Sequence, residues 1–315
     1  MDLVYLWCDD ADKEWSDMRK AYLPKEKLGK EIICKGRFVQ NDELKYSLRS
    51  VEKYMPWIKN IYIVSDCKMP QWLNTCHPRI KIVSEKTLLG KYAPVFNSNA
   101  IESCIADIDG LSENFVYMND DFLLASPVEP ADLVDEDGKI ICRMTYSKKS
   151  GHQSVYCDMI YNMQKVSKHK FGYKCEYFPH HNLDVYNKTA FKKCNAICAE
   201  LVEQTRNNRF RTAQDWQRVL ISYYMLATGV GTLKVLNAYK ISWLQWLKHN
   251  LLDFGKKDSV VLSLHAKTQT YYKKLKRHKP KFLCMEDNEF SNNNDRKRGK
   301  AFLHNLFPDK SEFEN

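Results

Sequence analysis

The chain has 315 residues, 44% of them hydrophobic and 28% charged, with a formal net charge of +10. That composition excludes disorder and low-complexity architecture, and no apolar run approaches the ~20 residues that span a bilayer. The N-terminal Met1-Asp2-Leu3-Val4-Tyr5-Leu6-Trp7 lacks a basic flank and soon reaches Asp9-Asp10, so it reads as a strand rather than a signal peptide. A soluble, cytoplasmic protein is expected. Eleven cysteines, odd in number and without a CxxC pair, read as reduced thiols used as small apolar residues, with a structural zinc site as the alternative.

The charge is segregated. Residues 1–140 carry 18 basic and 24 acidic side chains, whereas residues 141–315 carry 31 and 15. An acidic first half followed by a strongly basic remainder points to a polyanionic partner: nucleic acid, an anionic membrane or a phosphate-rich substrate.

In chain order, Val4–Cys8 is a short apolar strand that runs into Asp9, Asp10 and Asp12. Residues 41–54 carry Leu44, Leu48 and Val51 at helical spacing, with Asn41 or Asp42 as N-cap. The β-branched runs 60–65 and 79–84 predict two buried strands, with Pro70 and Pro78 between them. A helix over 98–108 and a strand over 115–118 complete a strand–helix–strand–strand–helix–strand order, the pattern of an α/β domain with a largely parallel sheet. The last strand ends at Asn119-Asp120-Asp121. Beyond residue 140 the helical spacing recurs over 159–168, 188–204, 212–226 and 241–252, and a helical second half is expected. One interdependent catalytic unit is expected, with an α/β half (1–140) and a mainly helical half (141–315).

Ligands of open parallel sheets bind outside the carboxyl ends of the strands, where two acidic clusters fall here. Asp120 and Asp121 are hard oxygen donors suited to Mg²⁺ or Mn²⁺, although such a pair also serves as a solvated turn. Asp9, Asp10 and Asp12 admit a helix-capping role equally well. Asp42, Lys45 and Arg49 form one polar stripe on the first helix, either an ion-pair ladder or a wall that holds a sugar phosphate. Pro179-His180-His181 is a candidate general base for a sugar hydroxyl. Arg211 precedes Thr212, a plausible helix N-cap, where an anion would be favoured. Residues 281–288 repeat the strand-then-carboxylate form with Asp287 and Asn288. Six basic residues between Lys273 and Lys281 suit anionic lipid. No dinucleotide fingerprint, P-loop, nucleophile elbow, zinc-binding helix or RNA-recognition motif accompanies these features.

Taken in order, these segments resemble the Stealth family of sugar-phosphate transferases, which includes bacterial capsule hexose-1-phosphate transferases and the animal lysosomal GlcNAc-1-phosphotransferase. Residues 4–15 resemble its first block, and 37–121 its long second block, through Asn41-Asp42-Glu43-Leu44, Tyr46-Ser47-Leu48-Arg49-Ser50, Phe96-Asn97-Ser98 and Asn119-Asp120-Asp121. Pro179-His180 with Arg211 to Asp215 and Gln217 resembles the third block, and 282–288 the fourth. The resemblance implies a Rossmann-like or GT-A-like α/β fold. It implies transfer of a hexose-1-phosphate (GlcNAc-1-P, GalNAc-1-P or Gal-1-P) from a nucleotide-sugar, a UDP-sugar above all, to a hydroxyl of a lipid-linked oligosaccharide or polysaccharide acceptor. His180, Arg211 and Asp120 are the implied catalytic residues. Asp9, Asn41, Asp42, Arg49, Asn97, Asn119, Asp287 and Asn288 are the implied donor-binding residues, and Asp120 and Asp121 the ligands of Mg²⁺ or Mn²⁺. Peripheral contact with an anionic membrane at the inner face of the cell membrane is expected, and nucleic acid is not. A metal-dependent glycosyltransferase releasing a nucleoside diphosphate is the alternative.

Overall fold

The computed structural model describes residues 1–24, 34–146, 154–236, 258–288 and 290–315. The helix expected over 241–252 lies outside the described residues.

The first half builds a five-stranded sheet. Its strands β1 (Asp2–Leu6), β2 (Ile61–Val64), β3 (Ile80–Val83), β4 (Asn114–Asn119) and β8 (Asp184–Asn187) lie in the order β3-β2-β1-β4-β8. β1, β2, β3 and β4 are parallel and β8 is antiparallel. Val4, Ile63, Val116 and their neighbours are buried on both faces of the sheet, which is why these strands read as unbroken apolar runs. Leu6 pairs with Asn119, so the acidic segments after β1 and β4 leave the sheet side by side. That adjacency is what the functional reading of two strand-end clusters required.

Helix α1 (Lys13–Ala21) begins at Asp12, whose carboxylate accepts from the Glu14 and Trp15 amides. Helix α2 (Glu43–Tyr54) buries Leu44, Leu48 and Val51 as their spacing predicts. Its N-cap Asp42 has φ 65° and makes no capping bond with its side chain; instead the Glu43 carboxylate accepts from the amide and side chain of Asn41. The short helices α3 (Glu85–Leu89) and α4 (Ser98–Glu102) follow, and the segment expected to be helical over 98–108 ends in a separate 3-10 turn at Ile105–Asp107.

The second half adds helices α5 (Val155–Phe171), α6 (Lys188–Ile197), α7 (Ala199–Asn207), α8 (Val219–Ala227), α9 (Thr268–His278) and α10 (Asn293–Leu306). It also adds two small sheets. In one, β6 (Ile140–Tyr146) lies between β7 (Tyr177–Pro179) and β9 (Gly231–Val235). In the other, β11 (Phe282–Glu286) lies between β10 (Ser259–Ser263) and β5 (Phe122–Leu124). Because β5 follows β4 after a two-residue turn and pairs with β11, the third carboxylate-bearing strand end is carried to Asp120 and Asp121.

Two helical expectations are corrected. The run over 188–204 is two helices, broken at Cys198. The helix expected from Thr212 begins at Val219, because Asp215 accepts from the Thr212 amide (2.9 Å) and hydroxyl (2.8 Å) and locks 212–215 into a turn. All eleven cysteines are free thiols. No described helix is long and apolar enough to cross a membrane.

Candidate active site

The carboxyl ends of β1, β4 and β11 enclose a cavity of about 310 Å³, walled also by residues 36–40, α4 and the loop before α8. Asp120 is the centre of its acidic wall. Gln40 donates from one amide nitrogen to both the Cys8 carbonyl (2.8 Å) and Asp120 Oδ2 (2.7 Å), tying the end of β1 to the β4–β5 turn. Burial raises the Asp120 carboxyl to about 6, against the Gln40 bond that lowers it, and the charge of Asp9 raises it further. Burial and then the charge of Asp120 raise Asp121 well above the usual carboxylate range. Glu43, at the start of α2, is pushed up to about 7 by burial and by Asp120. Carboxylates held together like this favour a cation or a shared proton between them.

Asp121 Oδ2 accepts from the Cys284 thiol at 3.4 Å, while Asp121 Oδ1 is buried with no hydrogen-bond partner among the described residues. An enclosed, unpartnered carboxylate oxygen beside Asp120 fits a hard divalent cation held by Asp120 and Asp121. On the same side, one ligand atom each from Asp121, His181 and Cys284 lies within 4.8 Å of the others.

The same cavity is also lined by arginines. Arg37 and Arg211 both line the cavity, and the Nε of each is buried without a partner among the described residues. Burial lowers Arg37 to about 9, and the charge of Arg211 lowers it further, so the two guanidiniums act on each other. Gly36 permits this placement: a Cβ there would meet Asp287 Oδ1 at 2.7 Å. Asp287 is itself fixed by a two-pronged ion pair with Arg296, at 2.7 and 3.0 Å. Arg211 donates to the Ser98 hydroxyl. Its loop is pinned by Asp215, which accepts from Asn97 Nδ2 and Asn208 Nδ2, each at 2.7 Å. Arg218 pairs with Glu102 (3.0 Å) and Asp184 (2.9 Å) and lines the cavity as well.

Of the residues singled out in the sequence, Asn119, Asp120, Asp121, Arg211 and Asp287 share the cavity. The others are placed elsewhere. Asp9 adjoins the cavity-lining Cys8, and its charge reaches Asp120, but it does not line the wall. Asn41 is engaged with Glu43, and Asp42 pairs with Lys300 at 2.7 Å. Arg49 pairs with Glu314 at 2.6 Å and donates to the Phe307 and Pro308 carbonyls, clasping the C-terminal segment. Asn97 is fully buried and caps α4, so it positions the Arg211 loop rather than touching a ligand. Asn288 bonds Ser263 and Ser291. His180 is tied to Asn182 at 2.8 Å through Nδ1 and is not on the wall, whereas His181 is. Burial lowers the His181 imidazole to about 4, with Arg218 and His180 adding to it, so it is neutral at physiological pH. Arg37, Gln40 and Glu43 stand inside the second block without being marked as site residues by the sequence, and of the His180-His181 pair the resemblance implies only His180.

Residues 37–142 match the family model described as Stealth protein CR2, conserved region 2. A capsular polysaccharide phosphotransferase of Neisseria meningitidis serogroup B is 29% identical, over 94% of this chain and 79% of its own length. The chain belongs to the Stealth family. An exopolysaccharide phosphotransferase of Lactiplantibacillus plantarum is 27% identical over 100% of this chain and 96% of its own length. A capsular polysaccharide phosphotransferase of Aeromonas hydrophila is 31% identical over 68% of the chain, which spans 62% of that protein. Like these Stealth relatives, the protein is a transferase. Among solved structures, the galactosyltransferase LgtC in complex with donor and acceptor sugar analogues aligns over 99% of this chain and 98% of its own, with 12% identity and a TM-score of 0.44.

Proposed function

We propose that the protein transfers a hexose-1-phosphate from a nucleotide-sugar to a hydroxyl of a glycan acceptor in capsular or exopolysaccharide synthesis, leaving a phosphodiester and a nucleoside monophosphate. The observation that carries this reading is that one cavity is lined both by Arg37 and Arg211, each with its guanidinium Nε unpartnered among the described residues, and by the Asp120 and Asp121 carboxylates. Buried unpartnered guanidinium Nε groups are costly unless an anion completes them, and the Arg fork matches phosphate oxygens. A diphosphate with its counter-cation suits both sets of charges at once.

Phosphoryl transfer asks the protein mainly for positioning and charge stabilisation. Arg37 and Arg211 hold the transferring phosphoryl oxygens. Asp120 and Asp121 hold Mg²⁺ or Mn²⁺, which supplies neutralisation of diphosphate charge when bound. His181, neutral and on the wall, accepts the proton of the acceptor hydroxyl, in place of His180. Asn97, Asp215 and Ser98 keep Arg211 aimed, and Gln40 orients Asp120. The acceptor is a lipid-linked glycan at an anionic membrane. The side chains of Lys273, Lys276, Arg277 and Lys279 are exposed for that contact, while Lys274 and Lys281 turn inward to the Val261 carbonyl and to Asp132.

The test is a screen of nucleotide-sugars with identification of the nucleotide released. UMP from a UDP-sugar, or GMP from a GDP-sugar, is the expected product. Release of the diphosphate overturns the reading in favour of glycosyl transfer.

A further inference from the structure

One corner of the cavity has a chemistry that the Mg²⁺ reading does not use. Asp121 and His181 stand on its wall, and Cys284 lies behind them in the middle of β11, fully buried. A carboxylate, an imidazole and a thiol converge here from three separate elements: the β4–β5 turn, the β7–β8 turn and β11. Magnesium is poorly served by nitrogen and sulfur, whereas this donor set is that of zinc and its neighbours.

We propose that Asp121, His181 and Cys284 form a binding site for a zinc-class divalent cation, and that filling it takes the His181 imidazole out of the transfer reaction. The three ligand atoms lie within 4.8 Å of one another. Tetrahedral zinc, with bonds of about 2.0–2.3 Å, holds its ligands about 3.5 Å apart. Side-chain adjustments on the order of 1 Å close that gap, and Asp121 and His181 belong to the cavity wall. Cys284 Sγ already stands 3.4 Å from Asp121 Oδ2, and Asp121 Oδ1 is left without a partner. The Phe122 ring packs edge-on to the His181 ring, with centroids 5.2 Å apart, and keeps the imidazole directed at the group. On binding, the Cys284 thiol gives one proton to solvent and ligates as thiolate, while His181 ligates as the neutral imidazole. No electrons move. Mg²⁺ would keep Asp120 and share Asp121, so zinc and magnesium would act at neighbouring positions with opposite effects.

The binding half stands on the side chains alone; the inhibitory half rests on the proposed function. The test titrates the metal-stripped protein with Co²⁺ in excess Mg²⁺. The expected result is one equivalent bound, release of one proton, and a near-ultraviolet thiolate-to-cobalt absorption that Zn²⁺ displaces. Cys284→Ala loses that absorption; Cys284→Ser, which keeps the volume of the buried site, loses it too, and circular dichroism checks both folds. A folded wild-type protein without the absorption, or a Cys284→Ala variant that keeps it, overturns the site. With a turned-over nucleotide-sugar, stoichiometric Zn²⁺ should lower wild-type monophosphate release by about a hundredfold and leave Cys284→Ala unaffected. Zinc that binds without slowing release overturns the inhibitory half. If no nucleotide-sugar is turned over at all, the proposed function fails while the cobalt titration still decides the site.

Discussion

The cavity wall and the C-terminal clasp both rest on arginines, bonded in opposite ways. At the clasp, the Arg49 guanidinium meets both Glu314 oxygens, at 2.6 and 2.8 Å, and two backbone carbonyls besides. Arg296 is held in the same manner by Asp287. At the cavity, Arg37 and Arg211 line one wall, and the charge of Arg211 is felt at Arg37, with each Nε unpartnered among the described residues. A guanidinium saturated by its own chain has little left to offer a ligand and works as a rivet. One enclosed without acceptors costs stability until an anion arrives. The difference separates residues that build this protein from residues that await its substrate, and spacing in the sequence does not carry it.

The largest effect should come from the acidic wall. Asp120→Asn should reduce monophosphate release by about a thousandfold, since it removes an anionic cation ligand while leaving an oxygen for Gln40; wild-type activity that survives EDTA would defeat the cation assignment. Arg211→Ala should lower kcat by about 10²–10³-fold with the Tm unchanged or raised, because a buried, incompletely paired charge is removed. A large fall in Tm would place Arg211 with the rivets. Arg49→Ala should do the reverse, costing about 3 kcal/mol in chemical denaturation because the Glu314 carboxylate loses its counter-charge and keeps only its Ser311 bonds among the described residues, while kcat of the folded protein is retained. A strong loss of kcat at full stability would return Arg49 to the donor site.

Acidity probes the same contrast more gently. Asp120 has a folded pKa raised to about 6, so below its ordinary value near 3.8 it is protonated folded or unfolded and carries no penalty. Between those two values the unfolded chain has lost the proton that the folded one keeps, so this group makes stability fall as pH rises. His181, lowered to about 4, acts in the opposite direction: its penalty at low pH is relieved as pH rises toward 6.5. Asp120→Asn should therefore gain stability over the parent as pH rises from about 4 to about 6 in EDTA, measured by denaturant titration at each pH. An unchanged difference would refute the raised carboxyl. The smallest effect is expected at the surface, where charge reversal at Lys273, Lys276, Arg277 and Lys279 should release the protein from anionic vesicles in a flotation assay without altering soluble turnover.

The sheet was legible because its central strands β1, β2 and β4 are buried on both faces, so Val4, Ile63 and Val116 leave a mark that needs no knowledge of partners. Asp120 and Asp121 were legible as candidates because they follow a buried strand at the end of the sheet where ligands bind. The turn at 212–215 was not, since Thr212 has the form of an N-cap and Asp215 is committed to Asn208 and to Asn97, the latter more than a hundred residues away. Arg49 was misleading for a similar reason: its acceptor, Glu314, is 265 positions along the chain. His180 and His181 differ by one residue, and the backbone at β7 and β8 decided which ring reached the cavity.

By itself the sequence determined the α/β class, the order of the parallel strands' elements and the Stealth membership. These follow from local apolar periodicity and from long, specific blocks. Tertiary structure alone decided which arginines are spent on carboxylates and which remain open. It also decided that β5 pairs with β11 and so brings Cys284 to Asp121. Those outcomes depend on partners distant in the chain and on burial, which sets the cost of an unmet charge and therefore marks where a ligand is needed.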